Sequence, residues 1–172
     1  MLLGEFEYRR VTSVEEAVSL LAENEEAKLL AGGHSLLPMM KLHFAAPSML
    51  VDIGGIQDLA FTKQDGDSLV VGSMTTHAHI AASDTVGAEH GALAEAAASI
   101  GDVQVRNRGT IGGSLAHADP AADYGAATLA LDAQIELMGP NGQRSVDATN
   151  FFSGFLSTSM EPAELITVIR FP

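Results

Sequence analysis

Ala31-Gly32-Gly33-His34-Ser35 and Thr110-Ile111-Gly112-Gly113-Ser114 are the two stretches on which the reading of this chain turns. Each adjoins an apolar run and each ends in a small hydroxyl residue. Paired glycines let backbone N–H groups come close to a ligand, because no Cβ stands in the way. Successive N–H groups in such turns form concave anion sites. Two of them in one domain predict a ligand whose diphosphate is held from two sides. Neither stretch has the Gly-x-Gly-x-x-Gly spacing of a dinucleotide-binding βαβ unit or the Gly-Lys-Ser/Thr ending of a P-loop.

Outward from the first stretch, Lys28–Ala31 reads as a short strand that feeds the glycines, and Pro38 sits in the first turn of a short helix ending near Leu42. Upstream, Thr12-Ser13-Val14-Glu15-Glu16 is a helix start with overlapping capping boxes, followed by Val14, Ala17, Val18 and Leu21 on one face. Met49–Ile53 is a further strand, stopped by Gly54-Gly55. Composition shifts there, which predicts one subdomain over residues 1–55 and a second over 56–172. In the second, Gln64-Asp65-Gly66-Asp67 and Gly139-Pro140-Asn141-Gly142 are hairpin turns. Thr75–Ala82, Ala88–Ile100 and Asp119–Leu131 read as helices, and Leu165–Phe171 as a last strand. Hairpins mixed with helices indicate an α+β architecture, not a regular βαβ series or a Rossmann fold.

Composition narrows the function. The 172 residues are 47% hydrophobic and 18% charged, enough apolar content for a packed core. A net charge of −13 argues against nucleic acid, whose binding requires clustered Lys and Arg. It also leaves few cations for a diphosphate, so backbone N–H groups would have to supply the hold. Cysteine is absent, which excludes disulfides, thiol catalysis and a thiolate-held cluster within this chain. That composition is compatible with a cytoplasmic setting. No run approaches the length of a membrane span.

At the glycines the chain resembles a known family. Leu29-Leu30-Ala31-Gly32-Gly33-His34-Ser35-Leu36 and Gln104-Val105-Arg106-Asn107-Arg108-Gly109-Thr110-Ile111-Gly112-Gly113-Ser114 are similar to segments of the flavin subunit of molybdenum hydroxylases, the medium subunit of aerobic carbon monoxide dehydrogenase and its xanthine dehydrogenase-like relatives. Ala116–Asp123, Phe151-Phe152-x-Gly154 and Glu164-Leu165-Ile166 extend the resemblance in order along the chain. It implies a two-subdomain FAD-binding fold with FAD in the cleft between subdomains. Carried over by position, it marks Leu30, Ala31, Gly32, Gly33, His34, Ser35, Leu36, Ile100, Thr110, Ile111, Gly112, Gly113, Ser114, Asp123 and Ile166 as cofactor-binding. It further implies a large molybdopterin subunit and a small iron–sulfur subunit as partners, with electrons passing through FAD to an external acceptor. Gly125 stands where many members have proline, and the family usually continues into a C-terminal domain that this sequence does not reach.

Individual residues have simpler readings as well. His34 either contacts the cofactor, as the resemblance favours, or satisfies its own loop; His117 is a weaker case of the same kind. His77-x-His79 lacks a third metal ligand, so solvent-facing or capping histidines are expected there. Arg106 and Arg108 either steer an anion or form structural pairs. Asp123 is either a ribose-hydroxyl acceptor or a helix cap. Met39 and Met40 are expected in a core. No catalytic acid, base or nucleophile is expected: the flavin would supply the redox chemistry. The competing readings are a non-redox nucleotide-binding module and a scaffold domain that has lost FAD.

Overall fold

The computed structural model describes residues 3–172. The chain begins with β1 (Glu7–Arg10), α1 (Val14–Glu23), β2 (Ala27–Leu30), α2 (Leu36–Lys41) and β3 (Met49–Asp52). It continues through β4 (Thr62–Asp65), β5 (Ser68–Gly72), α3 (His77–Ala82), α4 (Asp84–Glu89), α5 (Gly91–Ser99), α6 (Val103–Arg106), α7 (Ile111–His117) and α8 (Asp123–Ala130). The remainder is β6 (Gln134–Gly139), β7 (Gly142–Asp147), α9 (Ala148–Phe151), β8 (Phe152–Gly154), β9 (Ser157–Thr158) and β10 (Leu165–Phe171).

The first sheet is parallel, in the order β1-β3-β2, with α1 and α2 as its crossovers. Ser13 caps α1 by accepting from the Glu16 N–H at 3.2 Å, and the Glu16 carboxylate returns to the Thr12 N–H at 3.1 Å. The pair satisfies one of the helix's orphan donors, the Glu16 N–H, and ties down the residue that precedes the cap. The second sheet has the order β4-β5-β10-β6-β7 and is antiparallel throughout. Its two hairpins fall at the predicted turns; Gly66 has φ +62°, a value that glycine reaches without strain. β10 is central because its apolar run pairs on both edges, while the polar ends of β4 and β7 lie outward.

Two cores follow from this arrangement. The larger packs Leu69, Val71, Ile135, Leu137, Ile169 and Phe171 of the antiparallel sheet against helical residues such as Ile80, Leu93, Ile111 and Tyr124. The smaller joins α1 and β3 to Leu59 and Leu165, so side chains from the second sheet region complete it.

Three elements differ from the sequence reading. The single helix expected over Ala88–Ile100 is two, α4 and α5, because Ser83 caps an earlier start (Val86 N–H, 3.4 Å) and the buried His90 turns the chain inward against Phe171. The helix expected from Asp119 begins at Asp123, since Asp119 spends its carboxylate on the Ala121 N–H (2.9 Å) in a preceding turn. Thr110–Ser114 is not a loop: Thr110 is the N-cap, and Ile111 to Ser114 form the first turn of α7.

Candidate cofactor-binding site

The two glycine stretches meet. Gly32 lies against the backbone of Arg108 and Gly109, so close that a Cβ at Gly32 would collide with the Arg108 carbonyl oxygen and stand 2.7 Å from the Gly109 Cα. A Cβ at Gly113 would stand 2.9 Å from Thr110 Oγ1 and 3.7 Å from the Ala31 Cβ. The seam is therefore backbone on backbone where Gly32 meets Arg108 and Gly109.

The first stretch leaves the carboxyl end of the parallel strand β2, the usual location of ligand loops in such sheets. Leu30 anchors it by accepting the Ile53 N–H at 3.1 Å, and Gly33 turns it with φ +77°. His34 Nδ1 lies 3.0 Å from the Gly32 carbonyl oxygen. The N–H groups of Gly32, Gly33, His34, Ser35 and Leu36 have no acceptor among the described residues, and the exposed Ser35 makes no side-chain cap to α2. Unspent N–H groups on a half-exposed turn are the chemistry of an anion-accepting loop.

The second stretch is spent. Ile111 N–H donates to Thr75 O (3.1 Å), Gly112 N–H to Ser73 O (2.9 Å), Gly113 N–H to Thr110 Oγ1 (3.2 Å) and Ser114 N–H to Thr110 O (3.0 Å). The expected cradle of N–H groups is thus absent here. Gly112 is a glycine for a different reason: it is buried, and a Cβ would stand 2.6 Å from the Ser73 Cβ. Ser73 is itself fixed by donating its N–H to Thr167 O (2.9 Å) at the register shift of β10. What this stretch turns toward the first is Gly113, beside Ala31; Ser114 is half-buried.

The other marked positions divide. Asp123 is exposed in the first turn of α8 and caps nothing, since the N-cap is Ala122. Ile100 is half-buried at the end of α5. Ile111 and Ile166, at 0% and 5% exposure, have their side chains in the larger core. Arg106 is structural: its guanidinium donates to Ile100 O at 2.8 Å and Gly101 O at 3.3 Å. Cavities of about 250 and 240 Å³ lie elsewhere, one beside Asp132 and Asp147 and one between α1 and the β6–β7 turn.

One residue beside the seam differs from the sequence reading. His77 is not solvent-facing; it is 4% exposed and stands behind Gly109, where a Cβ would collide with its Nε2 and lie 2.8 Å from Cδ2. Its backbone N–H donates to Gly109 O at 3.1 Å, and Nδ1 lies 3.1 Å from the Tyr124 hydroxyl. Burial, with the nearby His34 second, lowers its pKa to about 4. Burial, with Asp123 second, raises that of the Tyr124 phenol. The signal was helical spacing: His77 shares the inward face of α3 with Ile80, three residues on. His79, on the other face, is exposed and reaches Thr62 Oγ1 at 3.4 Å.

The comparisons agree with this architecture. The family whose sequence profile matches residues 4–172 is described as "FAD binding domain in molybdopterin dehydrogenase". The carbon monoxide dehydrogenase medium chain of Hydrogenophaga pseudoflava is 49% identical, over 100% of this chain and 60% of that one. The medium chain from Afipia carboxidovorans is 43% identical with the same coverage. A solved carbon monoxide dehydrogenase from Hydrogenophaga pseudoflava superposes with a TM-score of 0.98, again over 100% of this chain and 60% of that chain. The chain belongs to the family of FAD-binding domains of molybdopterin dehydrogenases. It spans about 60% of the length of the curated relatives it matches.

Proposed function

We propose that this chain holds FAD across the seam between the Ala31–Ser35 turn and the start of α7, as the flavin-carrying part of a molybdenum hydroxylase. The observation that supports this most is the meeting of Gly32 with Arg108–Gly109 beside a turn whose N–H groups lack acceptors among the described residues. Those residues fit the cofactor: a diphosphate needs donors, and at a net charge of −13 the backbone supplies them in place of Lys and Arg. Gly32, Gly33, His34, Ser35 and Leu36 would donate N–H groups to the diphosphate. Ser114 and the exposed Asp123 carboxylate would serve hydroxyl groups of the nucleotide. Residues 1–55 and 56–172 would each contribute one wall.

FAD, when bound, supplies the redox chemistry through its isoalloxazine ring. The protein's part is to bind and orient it, and no side chain is assigned as acid or base. In the complete complex, a small iron–sulfur subunit would deliver electrons and a large molybdopterin subunit would oxidise the substrate, in a cytoplasmic setting. Among the described residues no helix is long and apolar enough to cross a membrane.

The test is an FAD titration of the wild-type protein and Gly32→Ala, followed by flavin absorbance. Wild type should bind. The alanine methyl pushes the seam apart, and the loss of two hydrogen bonds to a charged group, about 1.5 kcal/mol or more each, weakens binding about 100-fold. Equal affinity, with both proteins folded, would remove the seam from the site.

A further inference from the structure

The buried His77 is unassigned by any family description above, and its hydrogen bonding defines which nitrogen bears the proton. The Tyr124 hydroxyl is 0% exposed and has one described partner, His77 Nδ1. A buried hydroxyl that cannot donate bears a desolvation cost. The phenol therefore donates to Nδ1, and the neutral imidazole holds its proton on Nε2. Nε2 has no acceptor among the described residues. It is not sealed either: the polar side-chain atoms buried without a partner are Ser73 Oγ, His90 Nδ1 and Ser159 Oγ, and Nε2 is not among them. Nε2 abuts Gly109, which also meets Gly32, and His34 is close enough to affect His77.

We infer that His77 is a cofactor-binding residue whose Nε2–H donates a hydrogen bond to an oxygen of FAD held across the seam. The inference rests on the FAD reading above. Gly109 then has a function of its own: a side chain there would displace the imidazole from the seam. Tyr124 fixes the tautomer from behind, and being adjacent to Asp123 it ties the donor to the helix that presents that carboxylate. The groups beside His77 are Tyr124, which is hydrogen-bonded to Nδ1, and His34.

Two isosteres separate this role from a structural one. His77→Gln keeps an N–H at the Nε2 position; His77→Asn keeps an acceptor for Tyr124 and lacks that N–H. FAD titration should place Gln within a few-fold of wild type and Asn at least about 10-fold weaker. Thermal melts without FAD should show the reverse order, with Asn the more stable. Any result in which Gln binds no better than Asn overturns the inference. If neither variant folds, the wild-type imidazole decides by ¹⁵N NMR. A proton on Nε2 whose resonance moves on FAD addition supports the inference; a proton on Nδ1, or an unmoved Nε2 resonance, contradicts it. Wild-type protein that binds no FAD would overturn the functional reading as well, whereas binding with the wrong variant order overturns this inference alone.

Discussion

The turn after β2 and the first turn of α7 are both built on paired glycines followed by a hydroxyl residue, yet they solve opposite problems. In the first, the glycine N–H groups lack protein acceptors and Gly33 takes a positive φ, so the backbone is available to a ligand. In the second, every N–H from Ile111 to Ser114 is used within the protein and Gly112 is buried against Ser73. One pair of glycines exposes a backbone; the other lets two pieces of backbone pack. Gly32 packs on Arg108 and Gly109 and Gly113 stands beside Ala31, so the spent stretch and the residues just before it form a wall beside the open donors.

The sharpest way to break this contrast is Gly112→Ala. The added methyl meets Ser73 at 2.6 Å from Cβ and 2.8 Å from the carbonyl oxygen, where backbone must move. Overpacking of this kind costs about 3 kcal/mol, which for a chain of this size lowers Tm by roughly 6–12 °C. Calorimetry of the protein without FAD should show it. The acid limb of stability is comparable. His77 is held neutral with its pKa lowered to about 4, below the ordinary value near 6.5, so the unfolded chain binds the proton first. Stability is full above about pH 6.5 and falls as pH drops toward 4, by at most about 3 kcal/mol. Urea titrations across that range should show this slope, and His77→Gln should flatten it.

Arg144 sharpens the comparison from outside both stretches. It grips the 8% exposed Glu164 through two hydrogen bonds of 2.6 and 2.7 Å, and Ser159 O at 2.8 Å. Arg144, ahead of the Glu161 N–H, holds the Glu164 carboxyl below its usual range. Arg144→Met strands that carboxylate and should cost about 2 kcal/mol in urea denaturation at pH 7. Its stabilising contribution is full above the ordinary carboxylate value and is lost as pH falls below that value, through the lowered folded one, so the wild-type advantage over the variant should shrink in acid. The smallest effect is Gly33→Ala. At φ +77° a methyl costs about 1 kcal/mol of folding stability, much less than at Gly112, while the distorted loop should still weaken FAD binding.

Much of this was legible because the deciding signals were local. Gly66 and the Gly139–Gly142 stretch marked their hairpins, and Ser13 with Glu16 marked α1. The apolar run Leu165–Phe171 marked a strand, although only pairing on both edges shows it to be central. The family likeness rested on whole segments and so survived errors in their local structure. Thr110–Ser114 reads as a turn because two glycines are poor helix formers, whereas the Thr110 cap and the Ser73 contact, which override that tendency, are geometric or long-range facts. β1 carries no strand signal in the sequence, because Glu7–Arg10 is exposed throughout and has no apolar alternation. The burial of His77 depended on a helix face and on Gly109, more than thirty positions downstream.

The central claim is that the open turn, not the spent one, supplies the backbone donors to FAD. Amide ¹⁵N–¹H spectra of the full chain, recorded while FAD is added, test it residue by residue. The account predicts large shifts and slowed exchange at Gly32, Gly33, His34, Ser35 and Leu36, with the hydrogen-bonded amides of Ile111, Gly112 and Ser114 protected before FAD is added and little changed after. Saturable FAD binding that leaves the Gly32–Leu36 amides unmoved, or that acts chiefly on the amides of Ile111–Ser114, would contradict it.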